Sequence, residues 1–249
     1  MRYFMFLSYK GTSYHGWQTQ PGAVTVQETL EKSLTTIFEE NISLTGAGRT
    51  DTGVHARFYC AHFDSARENL NDNQKLIVRI NKFLSPDIAV SSIKKVRSDA
   101  HARFDAISRT YRYYITRTKD PFLESSSWYI YGDLNIDMMN EACSMLKDYT
   151  DFTSFARLHS DVKTNNCRIF NAVWHTEGHK LVFTIKADRF LRNMVRAITG
   201  TVVDIGKGKR SAEDFRIIIE ARDRSRAGKS APAAGLFLEE IEYPRDLFI

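Results

Sequence analysis

Two charged residues, Arg49 and Asp51, stand in a glycine-rich stretch of the chain, residues 45–56. Three glycines, Gly46, Gly48 and Gly53, surround them and predict a backbone that turns sharply, needs positive φ or approaches a ligand closely. If residues 49–51 are extended, the two charged side chains leave the same side of the backbone and can form an ion pair. A nearby arginine stabilises a charged carboxylate, which suits Asp51 to the role of nucleophile or base. A glycine turn with a surface ion pair fits the same spacing.

The spacing of these glycines excludes two nucleotide-binding motifs. The last interval is wrong for a dinucleotide-binding loop, and no Gly-Lys-Ser/Thr follows for a P-loop. The histidines, His15 and His55 among them, have no mutual spacing that suggests a metal site. We therefore expect no nucleotide cofactor and no metal.

The composition is that of a folded intracellular protein. The 249 residues are 43% hydrophobic, enough for a buried core. No apolar run is long enough to cross a membrane, and the N-terminus has no secretion signal, so we expect a cytoplasmic protein without a membrane. The three cysteines are odd in number and widely spaced, which predicts reduced, packed thiols.

The positive charge is concentrated in one part of the chain. Residues 186–229 hold twelve Lys or Arg and six Asp or Glu, a net charge of +6 against +5 for the whole protein. A local basic surface is the electrostatic footprint expected for binding a polyanion, and a solvated surface with scattered arginines has the same composition.

The elements that must position these residues alternate between strands and helices. Strands are predicted at residues 2–9, 42–44, 54–63, 88–96, 110–116, 170–176, 181–187 and 236–243. Helices are predicted at residues 26–38, with a Thr25–Glu28 capping box, and at 73–84, 136–146, 190–199 and 212–221, the last with Ser211 as its cap. The apolar face of the second helix is predicted to consist of Leu76, Ile77, Ile80, Phe83 and Leu84. Residues 147–166 read as irregular, and Glu177-Gly178-His179 as the turn of a hairpin. The pattern indicates an α+β protein with two halves, residues 1–105 and 106–249.

Four stretches, in order along the chain, resemble the TruA family of tRNA pseudouridine synthases. They are Tyr14-His15-Gly16-Trp17-Gln18-Thr19-Gln20 with Thr25-Val26-Gln27; Gly46-Ala47-Gly48-Arg49-Thr50-Asp51-Thr52-Gly53-Val54-His55-Ala56; His101-Ala102-Arg103-Phe104-Asp105-Ala106 leading to Arg109-Thr110-Tyr111-Arg112-Tyr113; and Phe190-Leu191-Arg192-Asn193-Met194-Val195-Arg196 with Ala231-Pro232-Ala233-Ala234-Gly235-Leu236. The resemblance runs from end to end, and Asp188 departs from the usual pattern by adding a negative charge near the expected RNA path.

The resemblance implies both a fold and an activity. The fold is two ferredoxin-like (RRM-like) halves whose antiparallel sheets join into one extended sheet, with the active site in the cleft between them and a homodimer as the working unit. The activity is isomerisation of uridine to pseudouridine at tRNA positions 38, 39 and 40, without a cofactor. The resemblance makes Asp51 the catalytic residue, with Arg196 paired to it, Tyr111 stacked on the target base and Leu236 as an apolar wall. Arg49, which the spacing places beside Asp51, is expected to join Arg196 in keeping the carboxylate ionised.

Without the resemblance, the same residues allow several functional interpretations. A strand tyrosine such as Tyr111 is more often part of a core, but Arg103, Arg109 and Arg112 around it favour stacking on an unpaired base. Arg189, Arg192 and Arg196 repeat at helical spacing, which predicts one basic, RNA-binding stripe or a solvated helix face. A non-catalytic binder of structured RNA and a phosphate-handling enzyme with an anion-binding glycine loop are the alternatives. Whether Asp51 attacks C1′ to form an ester or removes the 2′ proton to give a glycal also stays open.

Overall fold

The computed structural model describes residues 1–157 and 163–249, and the chain in it has a mixed α+β fold. Two compact units are present: Met1–Ile107 together with Leu238–Ile249 (unit 1), and Ser108–Phe237 (unit 2). The middle of the irregular stretch predicted at residues 147–166 lies outside the described residues.

Nine strands and five α-helices occur in the described parts of the chain. The strands are β1 (Arg2–Tyr9), β2 (Thr45–Gly46), β3 (His55–Asp64), β4 (Ile88–Lys95), β5 (Ser108–Thr116), β6 (Trp128–Tyr129), β7 (Ile169–Glu177), β8 (Lys180–Ala187) and β9 (Leu236–Glu242). The helices are α1 (Val26–Phe38), α2 (Gln74–Phe83), α3 (Ile136–Ser144), α4 (Met194–Gly206) and α5 (Ala212–Ala221).

Unit 1 is built on β1, which pairs antiparallel with β3 on one side and with β4 on the other. The short β2 pairs antiparallel with β3, where Thr45 lies opposite His62. Helix α1 begins at Val26 after the predicted cap Thr25, whose hydroxyl accepts the Glu28 N–H at 3.3 Å. The Glu28 carboxylate pairs with Lys32 at 2.6 Å rather than completing the predicted capping box. Helix α2 begins after an equivalent Asn73 cap. Aromatic rings join α1 to the sheet, because Phe38 and Tyr3 both contact Phe63 on β3.

Unit 2 is built on β8, which pairs antiparallel with β5 and with β7. The predicted β7–β8 hairpin is confirmed, and Gly178 in its turn has a φ of 59°, a conformation that glycine adopts without the cost of a Cβ clash. Helix α3 packs against β7, α4 and α5. The predicted cap of α5 is also confirmed, with a full capping box between Ser211 and Asp214.

Three predictions about these elements were wrong. The predicted strand at residues 42–44 is absent, because the N–H groups of Ile42 and Leu44 donate to side chains of α1 (Thr35 at 3.1 Å and Glu31 at 2.8 Å) rather than to a neighbouring strand. The strand before the glycine loop is β2 instead. Phe83, assigned to the buried face of α2, is 57% exposed.

The third error concerns α4, which begins at Met194 instead of residue 190 and continues to Gly206. Asn193 at its N-terminus has a φ of 66°, in the left-handed region, so the chain cannot be helical across that residue. Asn is one of the few residues that occupy this region readily. The apolar periodicity of residues 190–193 had suggested a helix that the backbone does not form.

Candidate active site

Asp51 lies in the connection between β2 and β3, residues 47–54, here called the Asp51 loop. Its side chain is partly buried, and its carbonyl oxygen accepts the Val54 N–H at 3.1 Å. Of the three loop glycines, Gly53 has the predicted positive φ, 79°. Gly46 is required for a different reason: a Cβ atom there would lie 2.4 Å from Nε1 of Trp17. The loop therefore combines a tight turn after Asp51 with close packing before it.

Three buried aromatic residues, Tyr9, Trp17 and Tyr59, pack against the Asp51 loop and hold it in place. The rings of Trp17 and Tyr59 stack with centroids 4.1 Å apart. The Tyr59 hydroxyl donates a short hydrogen bond to the Gly48 carbonyl oxygen and receives the Gly48 N–H at 3.4 Å. The Tyr9 hydroxyl lies 2.9 Å from Oγ1 of Thr50. Phenol oxygens thus hold the segment on the N-terminal side of Asp51 at two points, the Gly48 backbone and the Thr50 side chain.

The N-terminal motif, residues 14–20, forms backbone hydrogen bonds with the same loop. The Trp17 N–H donates to the Thr50 carbonyl and the Gly53 N–H donates to the Tyr14 carbonyl, each at 3.4 Å. Gly16 has a φ of 84°, and a Cβ atom on it would lie 2.3 Å from the Thr50 carbonyl oxygen. Only glycine fits there. The resemblance of this motif to a known family therefore has a structural basis, because the motif supports the segment that carries Asp51.

The predicted ion pair between Arg49 and Asp51 is not formed. Residues 49–51 lie outside β2 and β3, so the alternation of a strand does not apply to their side chains. Arg49 is exposed, and within residues 1–157 and 163–249 it takes part in no salt bridge.

In unit 2, the closing motif, residues 231–236, hydrogen-bonds to Arg196 and ends at Leu236. The Arg196 guanidinium donates through Nε to the Ala231 carbonyl at 2.8 Å, and the Ala231 N–H donates to the Arg196 carbonyl at 2.9 Å. The Tyr113 hydroxyl donates to the Pro232 carbonyl at 2.8 Å. Leu236 follows at the start of β9 and is 5% exposed. The closing motif thus fixes the Arg196 side chain at the N-terminal turn of α4.

Tyr111 lies on β5 opposite Ile185 of β8 and is partly buried. Its ring meets that of Phe190 edge to face, with centroids 5.2 Å apart and an interplanar angle of 88°. Tyr113, on the same face of β5, is fully buried. Burial raises the pKa of the Tyr113 phenol far above its usual range, so this hydroxyl stays protonated as a donor to Pro232.

Asp188 organises the basic residues around it. Its Oδ1 accepts the backbone N–H groups of Arg189 at 2.6 Å and Arg168 at 2.8 Å. Its carbonyl oxygen accepts Nη1 of Arg109 at 2.9 Å. The departure from the family pattern at this position therefore has a local structural role, because the carboxylate satisfies backbone donors at the end of β8.

The predicted helical stripe of Arg189, Arg192 and Arg196 was wrong. Only Arg196 lies on α4, because the helix begins at Met194. Arg192 lies in the turn before it and is exposed, while Arg189 is partly buried near Asp188. The three residues remain close in sequence on one basic segment, but they do not share a helix face.

The two tyrosines that hold the Asp51 loop in place were not predicted from the sequence. Tyr9 and Tyr59 read as ordinary strand aromatics, since nothing in their spacing reveals that their hydroxyls reach Thr50 and Gly48. The signal that was available is Gly46 itself, since a glycine at the end of a strand can mark the close approach of a bulky neighbour, here Trp17 and Tyr59. Trp17 is buried, with 2% exposure.

Among the described residues, no group of three metal-ligating side chains lies close enough together to hold an ion. No described helix is both long and apolar enough to cross a membrane.

The structure therefore has a partly buried carboxylate, Asp51, on a loop held by aromatic residues, and unit 2 has a basic segment suited to a polyanion. The sequence profile of the tRNA pseudouridine synthases matches residues 5–105 and 142–244. The chain is 53% identical over its whole length to tRNA pseudouridine synthase A of Porphyromonas gingivalis, of which it covers 99%. It is 51% identical to the enzyme of that name from Bacteroides thetaiotaomicron, with 99% of this chain and 92% of the relative covered.

A more distant relative is tRNA pseudouridine synthase A of Aliivibrio salmonicida, 38% identical over 99% of this chain and 94% of its own length. The chain therefore belongs to the tRNA pseudouridine synthase family. The profile includes Arg49, Asp51, Arg196 and Leu236, whereas Tyr111 falls between its two matched ranges.

Proposed function

We propose that this protein isomerises uridine to pseudouridine at positions 38, 39 and 40 of the anticodon stem-loop of tRNA, with Asp51 as the catalytic nucleophile or base. The observation that carries the proposal is full-length similarity to tRNA pseudouridine synthase A at 53% identity. The anchoring of the Asp51 loop by Tyr9 and Tyr59 supports it, because a reacting group must be held in place.

The reaction exchanges one bond of the uracil base for another. The bond between C1′ and N1 breaks, the base turns, C5 bonds to C1′, the proton on C5 leaves, and N1 takes up a proton. A charged Asp51 carboxylate can attack C1′ and carry the ribose as an ester until C5 displaces it, or accept the 2′ proton to give a glycal and return that proton when C5 bonds to C1′. Because atoms balance within the nucleotide, neither route consumes an energy source.

The other site residues bind the substrate. The target uridine must leave the base stack, which costs a few kcal/mol. In our proposal Tyr111 stacks on the extruded base, Leu236 covers it, and Arg49 and Arg196 hold the nucleotide around Asp51. Arg109, Arg189 and Arg192 contact phosphates, and these contacts offset the cost of extrusion.

We further infer that each unit is ferredoxin-like, that the working form is a homodimer, and that the protein acts in the cytoplasm with its tRNA substrate. The strand order β4-β1-β3-β2 in unit 1, with helices after β1 and β3, supports the first inference. Light scattering of the purified protein, free and with tRNA, tests the second.

The decisive experiment is tritium release from a tRNA transcript labelled at C5 of uridine, with wild type, Asp51→Ala and Asp51→Asn compared. Release by the wild type that both variants lose, while the Kd for tRNA stays within about threefold, supports the proposal. A wild-type protein that binds tRNA tightly but releases no tritium would instead be an RNA-binding member of the family.

A further inference from the structure

A sharp turn at residues 101–105, the 101–105 turn, exposes an aromatic ring outside the residues assigned above. Phe104 is 72% exposed and Ile107, just after the turn, is 51% exposed. The Arg103 guanidinium lies over the Phe104 ring, 5.4 Å from its centroid. The His101 ring approaches the same phenyl ring at 4.3 Å. A single apolar ring is thus presented to solvent beside a cation.

Hydrogen bonds within the turn fix its backbone. The His101 N–H donates to Oδ2 of Asp105 at 2.7 Å, and the Asp105 N–H donates to the His101 carbonyl at 3.1 Å. Nδ1 of His101 accepts the N–H of Arg103 at 3.1 Å. The side chains of His101 and Asp105, the first and last residues of the turn, therefore stabilise its backbone conformation.

Residues from other parts of unit 1 fix the same turn from outside. Nδ1 of His62 on β3 accepts the Ala102 N–H at 3.1 Å, and the Tyr243 hydroxyl donates to the Ala102 carbonyl at 2.5 Å. Nη1 of Arg2 donates to the Ala100 carbonyl at 3.1 Å. A segment this thoroughly held loses little conformational entropy when a ligand binds it.

The exposed surface fits a nucleotide better than a protein. Its apolar part at the turn is one ring bordered by an imidazole and a guanidinium, which is small for a protein interface and matches the face of one base. Aromatic rings stack on bases of any identity, and an adjacent arginine suits both stacking and phosphate contact. The inference rests on the proposed function, which supplies the RNA.

We propose that Phe104 stacks on an unpaired base of the bound tRNA while Arg103 contacts a neighbouring phosphate. This is a binding site in addition to the residues around Asp51. It acts on affinity, because Phe104 has no part in the bond changes at the target uridine.

The test compares the Kd for unmodified tRNA of wild type, Phe104→Ala, Phe104→Leu and Phe104→Tyr, at one salt concentration. Loss of base stacking should raise the Kd about tenfold in Phe104→Ala. Phe104→Leu keeps apolar bulk without an aromatic face and should also bind weakly, whereas Phe104→Tyr should bind as wild type. The matched control is Phe83→Ala, since Phe83 is an exposed phenylalanine of the same unit, and its Kd should not change.

A second measurement detects stacking directly. In Phe104→Trp, tRNA binding should quench the added indole fluorescence beyond the quenching seen in wild type, because direct stacking on a base quenches indole emission by contact. An unchanged Kd in Phe104→Ala without extra quenching in Phe104→Trp overturns the inference. So does a change of oligomeric state in Phe104→Ala with an unchanged Kd, which would assign the ring to a protein contact. Tritium release by wild type in the same preparations reports on the proposed function separately.

Discussion

Tyr59 acts on the Asp51 loop through one oxygen atom, which serves both polar groups of the Gly48 backbone. The ring itself is buried and stacked on Trp17, so removing the hydroxyl leaves the packing in place. Removing the hydroxyl breaks its hydrogen bonds to the backbone of Gly48, three residues before Asp51. A catalytic carboxylate displaced by a fraction of an ångström loses much of its effect on the reaction.

We therefore expect Tyr59→Phe to lower the single-turnover rate of pseudouridine formation by about ten- to a hundredfold, with the Kd for tRNA within about twofold of wild type. Tyr3→Phe is the matched control: Tyr3 is equally buried on β1, but its hydroxyl donates to the Arg67 carbonyl at 2.7 Å, away from the loop. Both variants should lose stability, by about 1–3 kcal/mol. Equal rates in the two variants would contradict a positioning role for Tyr59.

At the scale of elements, each unit has an edge strand, β4 or β7, in which an asparagine on a packed helix hydrogen-bonds to both backbone groups of one residue. Asn81 of α2 donates to the Val90 carbonyl of β4 and accepts its N–H, both at 2.8 Å. Asn140 of α3 does the same for Trp174 of β7, at 3.0 and 2.7 Å. An edge strand exposes unpaired backbone groups that invite pairing with another chain, and a side-chain amide removes one such pair.

Asn140→Ala should lower the free energy of unfolding by about 1–3 kcal/mol, because it leaves the N–H and the carbonyl of one buried residue without partners. Urea unfolding measures this effect. Glu141→Ala, the adjacent exposed position on α3, should stay within about 0.5 kcal/mol of wild type. If the two variants unfolded at the same urea concentration, the amide would have no stabilising role.

Elements with a local sequence signal were predictable. Helices α1, α2 and α5 have an apolar face and an N-cap residue, Thr25, Asn73 and Ser211, whose side chains each accept the N–H of the residue three positions later. The β7–β8 hairpin has alternating apolar residues on both sides of a glycine turn. In each case a short stretch of sequence contains both the element and its boundary.

Elements determined by distant contacts were not predictable. The strands β2 and β6 have two residues each and exist because β3 and β5 pair with them. Asp51 was predicted from its glycine-rich setting, but its pairing with Arg49 was wrong, because residues 49–51 are not part of a strand and strand alternation does not direct their side chains. The tyrosines that hold the loop lie 11 residues and 41 residues away from their partners in sequence, which no local pattern reports.

For the molecule as a whole, charge should govern tRNA binding. A protein of net charge +5 with its excess of Lys and Arg between residues 186 and 229 should release several counterions from the RNA. The Kd should rise about five-hundredfold between 50 and 200 mM salt, if about five phosphates are contacted. Exposed Lys209 and Lys229 lie in this segment, so Lys209→Gln with Lys229→Gln should flatten the dependence of log Kd on log salt. Lys75→Gln on α2 should not, and identical slopes would remove the segment from the interface.

The stability of the whole fold should fall in mild acid because of His62. This imidazole is buried under the 101–105 turn, and Nδ1 must stay unprotonated to accept the Ala102 N–H. Burial lowers the pKa of His62 to about 4, helped by the charges of His101 and Arg2 and opposed by Asp64 and Asp105. Since the unfolded chain takes up this proton near pH 6.5 and the folded protein only near pH 4, the free energy of unfolding should be constant above pH 6.5 and decrease by about 3 kcal/mol as the pH falls to 4.

His62→Gln keeps an acceptor but cannot be protonated, so urea unfolding from pH 7 to 4.5 should show a much weaker decrease in that variant. The same pH dependence in both proteins would mean that other groups cause it.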